Sequence, residues 1–261
     1  MRHVPGWCFL AILWTAPGPA LATPTDEIQV YTGDIAPVGV FNLTLHDNYT
    51  ASGSKTADFP GALIDDHAFS GVAEWAYGVT PWFEAGLYLP LYADTQGRGF
   101  TYNGFKLRTL FVNPANPTSN FYYGVNFEFS WNEPHWDQHT NTGEIRPIIG
   151  YHFGKVSLTV NPILDNNYKG AAALDFAPAT RIDYTIDDKW QVALEEYDDF
   201  GEVRGFLPSA QQSHQLFLVA DYTGPMTVEA GVGFGMTQAS DGLNFKLILS
   251  LSIESNCRGY K

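Results

Sequence analysis

The chain of 261 residues is short of cysteine, of charge and of long apolar runs, and each shortage excludes something. Its two cysteines are Cys8 and Cys257. Cys8 falls in a leader-like segment, so one thiol remains and a disulfide scaffold is excluded. Cys257 lies far from the processing site, so it is not the lipid-bearing first residue of a lipoprotein, and a tail thiol is read as incidental. Charged residues make up 16% of the chain, against about 25% in water-soluble domains. Lys and Arg number 14 against 28 Asp and Glu, a net charge of −14. Nucleic acid selects the opposite sign and is excluded as a partner. Beyond the leader, no apolar run approaches the roughly 18 residues of a membrane-spanning helix.

The leader itself is legible. Arg2 and His3 open it, Trp7 to Trp14 form its apolar core, and Ala20-Leu21-Ala22 is a small-x-small cleavage site. Residues 1–22 are read as a signal peptide, residues 23–38 as a periplasmic segment, 39–253 as one β-barrel and 254–261 as a tail.

What is abundant is aromatic residues, 15% of the chain, set in period-two alternation. Phe121, Tyr123, Val125, Phe127, Phe129 and Trp131 share one face, and Tyr122, Gly124, Asn126, Glu128 and Ser130 the other. Strand side chains alternate by geometry, so such a run has one apolar and one polar or small face. Leu243 to Ile253 and Met226 to Thr237 read the same way, the latter with Gly231, Gly233 and Gly235 on its inner face. Glycine there fits a crowded lumen or strong curvature. About twelve segments follow, at 39–50, 67–78, 82–93, 101–112, 120–131, 144–153, 155–164, 172–186, 189–200, 213–223, 225–236 and 243–253, each near the length of a tilted membrane strand. Ile28 to Thr32 is either a short extra strand or part of the periplasmic segment.

The connections are sorted by length. Tight turns at Gly78 to Pro81, Gly154, Asp187-Asp188 and Thr223 to Pro225, with a longer Asn- and Pro-rich link from Asn113 to Ser119, alternate with polar loops at 51–66, 94–100, 132–143, 165–171, 201–212 and 237–242. Outer-membrane barrels place short turns in the periplasm and long loops outside. Trp75, Tyr77, Trp82, Phe83, Phe121, Tyr123, Tyr151, Phe153 and Trp190 gather near strand ends, as an interfacial girdle does. The fold class expected is an all-β, antiparallel, up-and-down transmembrane barrel of about twelve strands, in the bacterial outer membrane.

Several strings carry a family resemblance: Asp26-Glu27-Ile28-Gln29-Val30-Tyr31, Gly78-Val79-Thr80-Pro81-Trp82-Phe83-Glu84-Ala85-Gly86, Glu144-Ile145-Arg146-Pro147-Ile148-Ile149-Gly150, Asn161-Pro162-Ile163 and Glu195-Glu196-Tyr197-Asp198-Asp199-Phe200-Gly201. The chain resembles the outer-membrane β-barrels grouped under the phenol-degradation meta-pathway label. The resemblance implies a barrel with a transport role and supplies no catalytic residues. One departure concerns the end of the chain, where Glu254 to Lys261 continue past the last strand.

If the apolar faces meet lipid, the lumen collects Glu74, Glu84, Glu128, Glu144, Asp175, Asp183, Glu195, Asp221 and Glu229 with Lys106, Arg108, Arg146, Arg181 and Lys246. Such charges either pair and close the lumen or line a water-filled path of negative potential, which prefers cations or neutral molecules. Twelve strands fall between the filled eight-stranded barrel and the open sixteen-stranded one. Arg108 and Glu128, and Glu128 and Arg146, are expected to face each other from neighbouring strands.

Catalytic and metal readings are weaker. His135 and His139 are four apart beside Asp137, but Pro134 opens a loop there, and a polar loop is favoured over a metal site. His152 projects inward, and adjacent strand residues such as Ser213 and His214 point to opposite faces and make no dyad. No nucleophile elbow, phosphate loop or dinucleotide fingerprint is present. The expectation is therefore no enzyme, no cofactor and no metal. It is instead a passive channel or uptake protein for small molecules, organic ones on the family label alone, with lipid and the barrel-assembly machinery as partners. The alternatives are a non-conducting structural or surface-interaction barrel with an ion-paired lumen and, further off, an outer-membrane enzyme.

Cleavage after Ala22 is checked by N-terminal sequencing of the membrane-extracted protein, which is expected to begin at Thr23 and not to retain Trp7 to Trp14.

Overall fold

The computed structural model describes residues 25–113 and 119–253, so the expected signal peptide, the C-terminal tail and both cysteines lie outside the described residues. The described chain has fourteen strand segments: β1 (Phe41–Ser52), β2 (Phe69–Thr80), β3 (Phe83–Thr95), β4 (Gly99–Val112), β5 (Phe121–Asn132), β6 (Asn141–Phe153), β7 (Val156–Asn161), β8 (Leu164–Asn166), β9 (Leu174–Phe176), β10 (Ala179–Thr185), β11 (Trp190–Asp199), β12 (Ser213–Tyr222), β13 (Thr227–Gly235) and β14 (Leu243–Ile253). Two pairs of segments are single strands interrupted at proline. Pro162 separates β7 from β8 and Pro178 separates β9 from β10, each at a point where a ring nitrogen cannot donate to the ladder. Twelve strands result.

Every neighbouring pair is antiparallel, and the ring closes. β1 pairs with β14, from Phe41 opposite Ile253 to Ser52 opposite Leu243, and β5 pairs with β6. Closure leaves no strand edge, which is what a barrel in lipid requires. The loops sort largely as expected, with one exception. β3 and β4 run further than the alternation suggests, so the expected loop at 94–100 shrinks to a hairpin through Gln96 to Arg98, with Gly97 and Gly99 in the left-handed region at φ 89° and 72°.

The faces fall as the alternation predicts. Phe127, Phe129 and Trp131 are 41%, 38% and 47% exposed on the outer surface, while Glu128 and Ser130 between them are buried inside. Phe245, Leu247 and Phe234 also face outward. At the short-turn end Trp82 stacks on Phe111 at 6.2 Å, and Trp190 lies 5.0 Å from Tyr222, forming an aromatic girdle. In β3, Leu89-Pro90 bulges outward, so Tyr88 and Leu91 both turn into the lumen. Small residues make room for large inward ones. A Cβ at Gly150 would stand 1.9 Å from the Tyr122 ring, and one at Gly233 would stand 2.3 Å from that of Phe217.

The N-terminal segment departs from expectation. Residues 25–38 are not outside the barrel, nor do Ile28 to Thr32 form a strand. The segment enters the lumen: Asp26, Ile28, Val30, Tyr31 and Ala36 are all buried, and Val38 bridges to Gly78 at the short-turn end. The physical reason is that its acids and apolar side chains find partners inside that the periplasm does not offer.

An arginine on the lipid face at mid-membrane costs about 2–4 kcal/mol. Phe127→Arg is therefore expected to impair assembly, read as loss of the heat-modifiable folded band on gels. The inward neighbour Asn126 is no tolerant control, because it is fully buried and its amide donates to Glu128 at 2.9 Å. Gln191→Arg, in a water-accessible part of the lumen, is the control expected to assemble.

Candidate functional site

The lumen is the candidate site. Three cationic centres organise it, each supplied by side chains that strand alternation turns inward. Near the long-loop end, Lys106 of β4 binds Asp26 at 2.8 Å and Glu128 of β5 at 3.4 Å. Beside it, the Arg146 guanidinium of β6 binds Glu144 at 2.6 Å, Glu27 at 3.1 Å and the carbonyl of Gln29 at 3.1 Å. The Tyr31 ring lies 4.3 Å beneath that guanidinium, in cation–π range.

The second centre is Arg108 of β4, which binds Glu74 of β2 at 2.7 Å and Glu84 of β3 in close contact. His46 of β1, fully buried, reaches Glu74 at 3.1 Å, and Glu84 accepts the Ala36 N–H at 2.5 Å. The third centre spans five strands. Arg181 of β10 binds Glu195 of β11 at 2.5 Å, Asp221 of β12 in close contact and Glu229 of β13 at 3.3 Å. Lys246 of β14 joins the same acids, meeting Glu229 at 2.6 Å and Glu195 in close contact, and donates to the Ile28 carbonyl at 3.2 Å. Each centre places one or two cations among several carboxylates, which is what leaves charge this deep affordable: an unpaired ion there keeps several kcal/mol of desolvation cost.

The N-terminal segment is threaded through these centres. At its start, Ser70 donates to the Thr25 carbonyl at 2.7 Å and Asn48 to that of Asp26 at 3.2 Å. At its middle, Asn161 clamps Tyr31 twice, accepting its N–H at 2.7 Å and donating to its carbonyl at 3.0 Å. The Tyr31 hydroxyl meets that of Tyr88 at 2.5 Å. Ile28 packs with Ala193, Phe217 and Val219, Val30 with Ile163 and Ala179, and Tyr31 with Leu110 and Ile148. Thr25 sits near the long-loop end and Val38 at the short-turn end, so the segment runs down the lumen before the chain turns back up as β1.

Water-sized space remains on both sides of it. A cavity of about 970 Å³ opens around Gln29 to Ala36 and is lined by Glu84, Arg108, His152, Asp183 and Asp221 among others. A second, of about 420 Å³, opens around Thr25 and Asp26 under the long loops, lined by Lys106, Glu128, Trp136, Glu144, Asp165 and Asp175. Loops narrow that mouth. Trp136 packs on Val72, Tyr88 and Leu91, and the His135 carbonyl accepts the N–H of Leu63 at 3.1 Å.

All the charges expected inside face the lumen or its mouth, but their partners differ from those expected. Arg108 and Glu128 are opposite in register, yet Arg108 turns to Glu74 and Glu84 while Glu128 takes Lys106. Arg146 is held by Glu144 and Glu27 and not by Glu128. Asp175 lines the upper cavity away from the cations, and Asp183 stands 3.8 Å from Arg181 beside the lower one. His46, Tyr88 and Asn161 escaped sequence reasoning because polar residues without a fixed charge carry no signal of their own on an inward face. His135 and His139 do not converge: one meets Asn103 at 3.0 Å, the other Asp137 at 3.3 Å. His214 faces outward and reaches Asp198 at 2.5 Å with Glu196 nearby, while Ser213 turns to Ser240.

No family model and no curated protein matches the sequence. Solved structures do match. An outer membrane channel from Pseudomonas putida F1 superposes with a TM-score of 0.59 at 14% identity, over 87% of this chain and 100% of that one. The KdgM porin, solved in complex with disordered oligogalacturonate, superposes with a TM-score of 0.52 at 10% identity, over 81% of this chain and 99% of that one. At such identities the likeness is one of fold, and the fold this chain shares is that of the outer-membrane porins and channels.

Proposed function

We propose that the protein is a passive outer-membrane channel for small molecules, with the N-terminal segment as the obstacle in its path. One observation carries this reading. Two cavities, about 970 and 420 Å³, stand at opposite ends of one barrel and are parted at the segment 26–31, a length of chain held by side-chain contacts and not woven into the sheet. A barrel with a purely structural role would fill this space with its own side chains, as eight-stranded ones do.

The lumen chemistry bears on the solute. Ten inward acids, Asp165 now among them, and the segment's own Asp26, Glu27 and Asp34 face five cations, a surplus that favours neutral or cationic solutes and disfavours polyanions. Tyr31 and Tyr122 at the larger cavity and Trp136 at the smaller one add aromatic surface to the path. That surface agrees with small organic solutes, the class that the phenol-degradation resemblance implies. The reading involves no chemical step.

The second reading, a non-conducting barrel, is favoured by the density of ion pairs at the waist. Planar-bilayer recordings separate the two. A variant lacking residues 23–36 is expected to conduct several-fold more than the full mature chain and to prefer cations. The milder double substitution Asp26→Asn with Glu27→Gln, which unties the segment from Lys106 and Arg146, is expected to move conductance the same way. Silence of both variants, with their folded barrels verified on gels, would refute the channel and leave the structural barrel.

A further inference from the structure

Outside the membrane, where the barrel's first and last strands meet at the long-loop end, two carboxylates are buried together. Asp65 in the loop 53–68 is 1% exposed, and Asp241 in the turn 236–242 is 7% exposed. Asp241 is supported by the Ser54 N–H and the Asn244 amide. Asp65 draws on the Thr50 hydroxyl and the facing Asp241 carboxyl alone, and neither of its carboxylate oxygens makes a hydrogen bond of full geometry. Among the described residues no Lys, Arg or His forms an ion pair with either acid, although the lumen acids below are richly supplied. Space is tight around the pair. A Cβ on Gly53 would come within 2.6 Å of Thr50 Cγ2 and 3.0 Å of Asp241 Oδ1.

Two ionised carboxylates cannot share such a place unassisted. A buried acid with two unsatisfied oxygens wants positive charge, and what converges here is hard oxygen: two carboxylates and a hydroxyl from three separate elements. We propose that Asp65, Asp241 and Thr50 form a divalent-cation site, suited to calcium, that clips the loop 53–68 and the turn 236–242 across the seam between β1 and β14. Calcium accepts irregular sets of six to eight oxygens and fills them out with water, whereas magnesium demands near-ideal octahedral geometry. The seam needs such a clip. The pairing of β1 with β14 slips between Thr50 and Ser52, and beyond the slip the Gly242 N–H to Ser52 carbonyl bond at 2.7 Å continues the link. With few protein oxygens, affinity falls in the range of extracellular calcium modules, a Kd of about 0.1–1 mM.

The test is thermal unfolding of the full mature chain in detergent, in chelator and in calcium at pH 7.5. Calcium at ten times its Kd is expected to raise the wild-type Tm by about 3 °C, and further with the logarithm of its concentration. Asp241→Asn and Asp65→Asn are expected to lose that shift and to melt in chelator no lower than wild type, since either one removes the repulsion between the two charges. Should the variants fail to fold, calorimetric titration of the wild type with calcium reads the site directly, with one ion per chain expected. A wild type indifferent to calcium and steadily stabilised on acidification from pH 9 to 6 would overturn the proposal in favour of a shared proton. A calcium shift that survives Asp241→Asn would overturn it as well.

Discussion

The constraint on which this molecule depends is that lipid offers nothing to a peptide group. Every N–H and C=O in the membrane must therefore find its partner within the sheet, and only a ring satisfies all of them. The closures of β1 on β14 and of β5 on β6 are the condition for everything else. They also dictate the alternation, because a closed sheet has two surfaces of opposite demand. One is sold to lipid as Phe, Trp and Leu. The other is left with the polar groups and must solve its own electrostatics in a confined space.

That second problem shapes the waist. Five cations are too few for the surrounding acids, yet each is wrapped by carboxylates from different strands, so the network ties staves that have no backbone pairing with one another. Arg181 joins β10 to β11, β12 and β13, and Lys246 draws in β14. The N-terminal segment completes the arrangement by bringing Asp26 to Lys106 and Glu27 to Arg146. It also brings main-chain carbonyls, which act as neutral acceptors for Arg146 and Lys246 where a further carboxylate would add repulsion.

The barrel was legible in the sequence because its two faces differ so sharply. Phe121 to Trp131 reads as one strand with one orientation, and the register confirms residue by residue which face is which. The inward position of Lys106, Arg108 and Arg146 followed from the same parity. Their partners did not follow, because a long side chain reaches diagonally and along the axis as well as straight across, and Arg108 prefers two acids on β2 and β3 to the one directly opposite. The lumenal course of residues 25–38 was hidden for a related reason. Asp26 to Tyr31 alternates over too few residues to declare a face, and its meaning lies in Asn161 and Arg146, more than a hundred residues away in the chain. The breaks at Pro162 and Pro178 were written plainly but cost only local pairing, so the count of strands survived them.

Those long separations set an order of events. Tyr31 is clamped by Asn161, Asp26 by Lys106, and the Ile28 carbonyl by Lys246 near the end of the described chain. No subset of neighbouring hairpins contains this whole set of partners, so the segment's full set of holds exists only once β14 has joined β1. Contacts of such separation form late, after the loop entropy has been spent by the sheet. The native course of the segment is therefore a property of the closed ring as a whole and of no part of it.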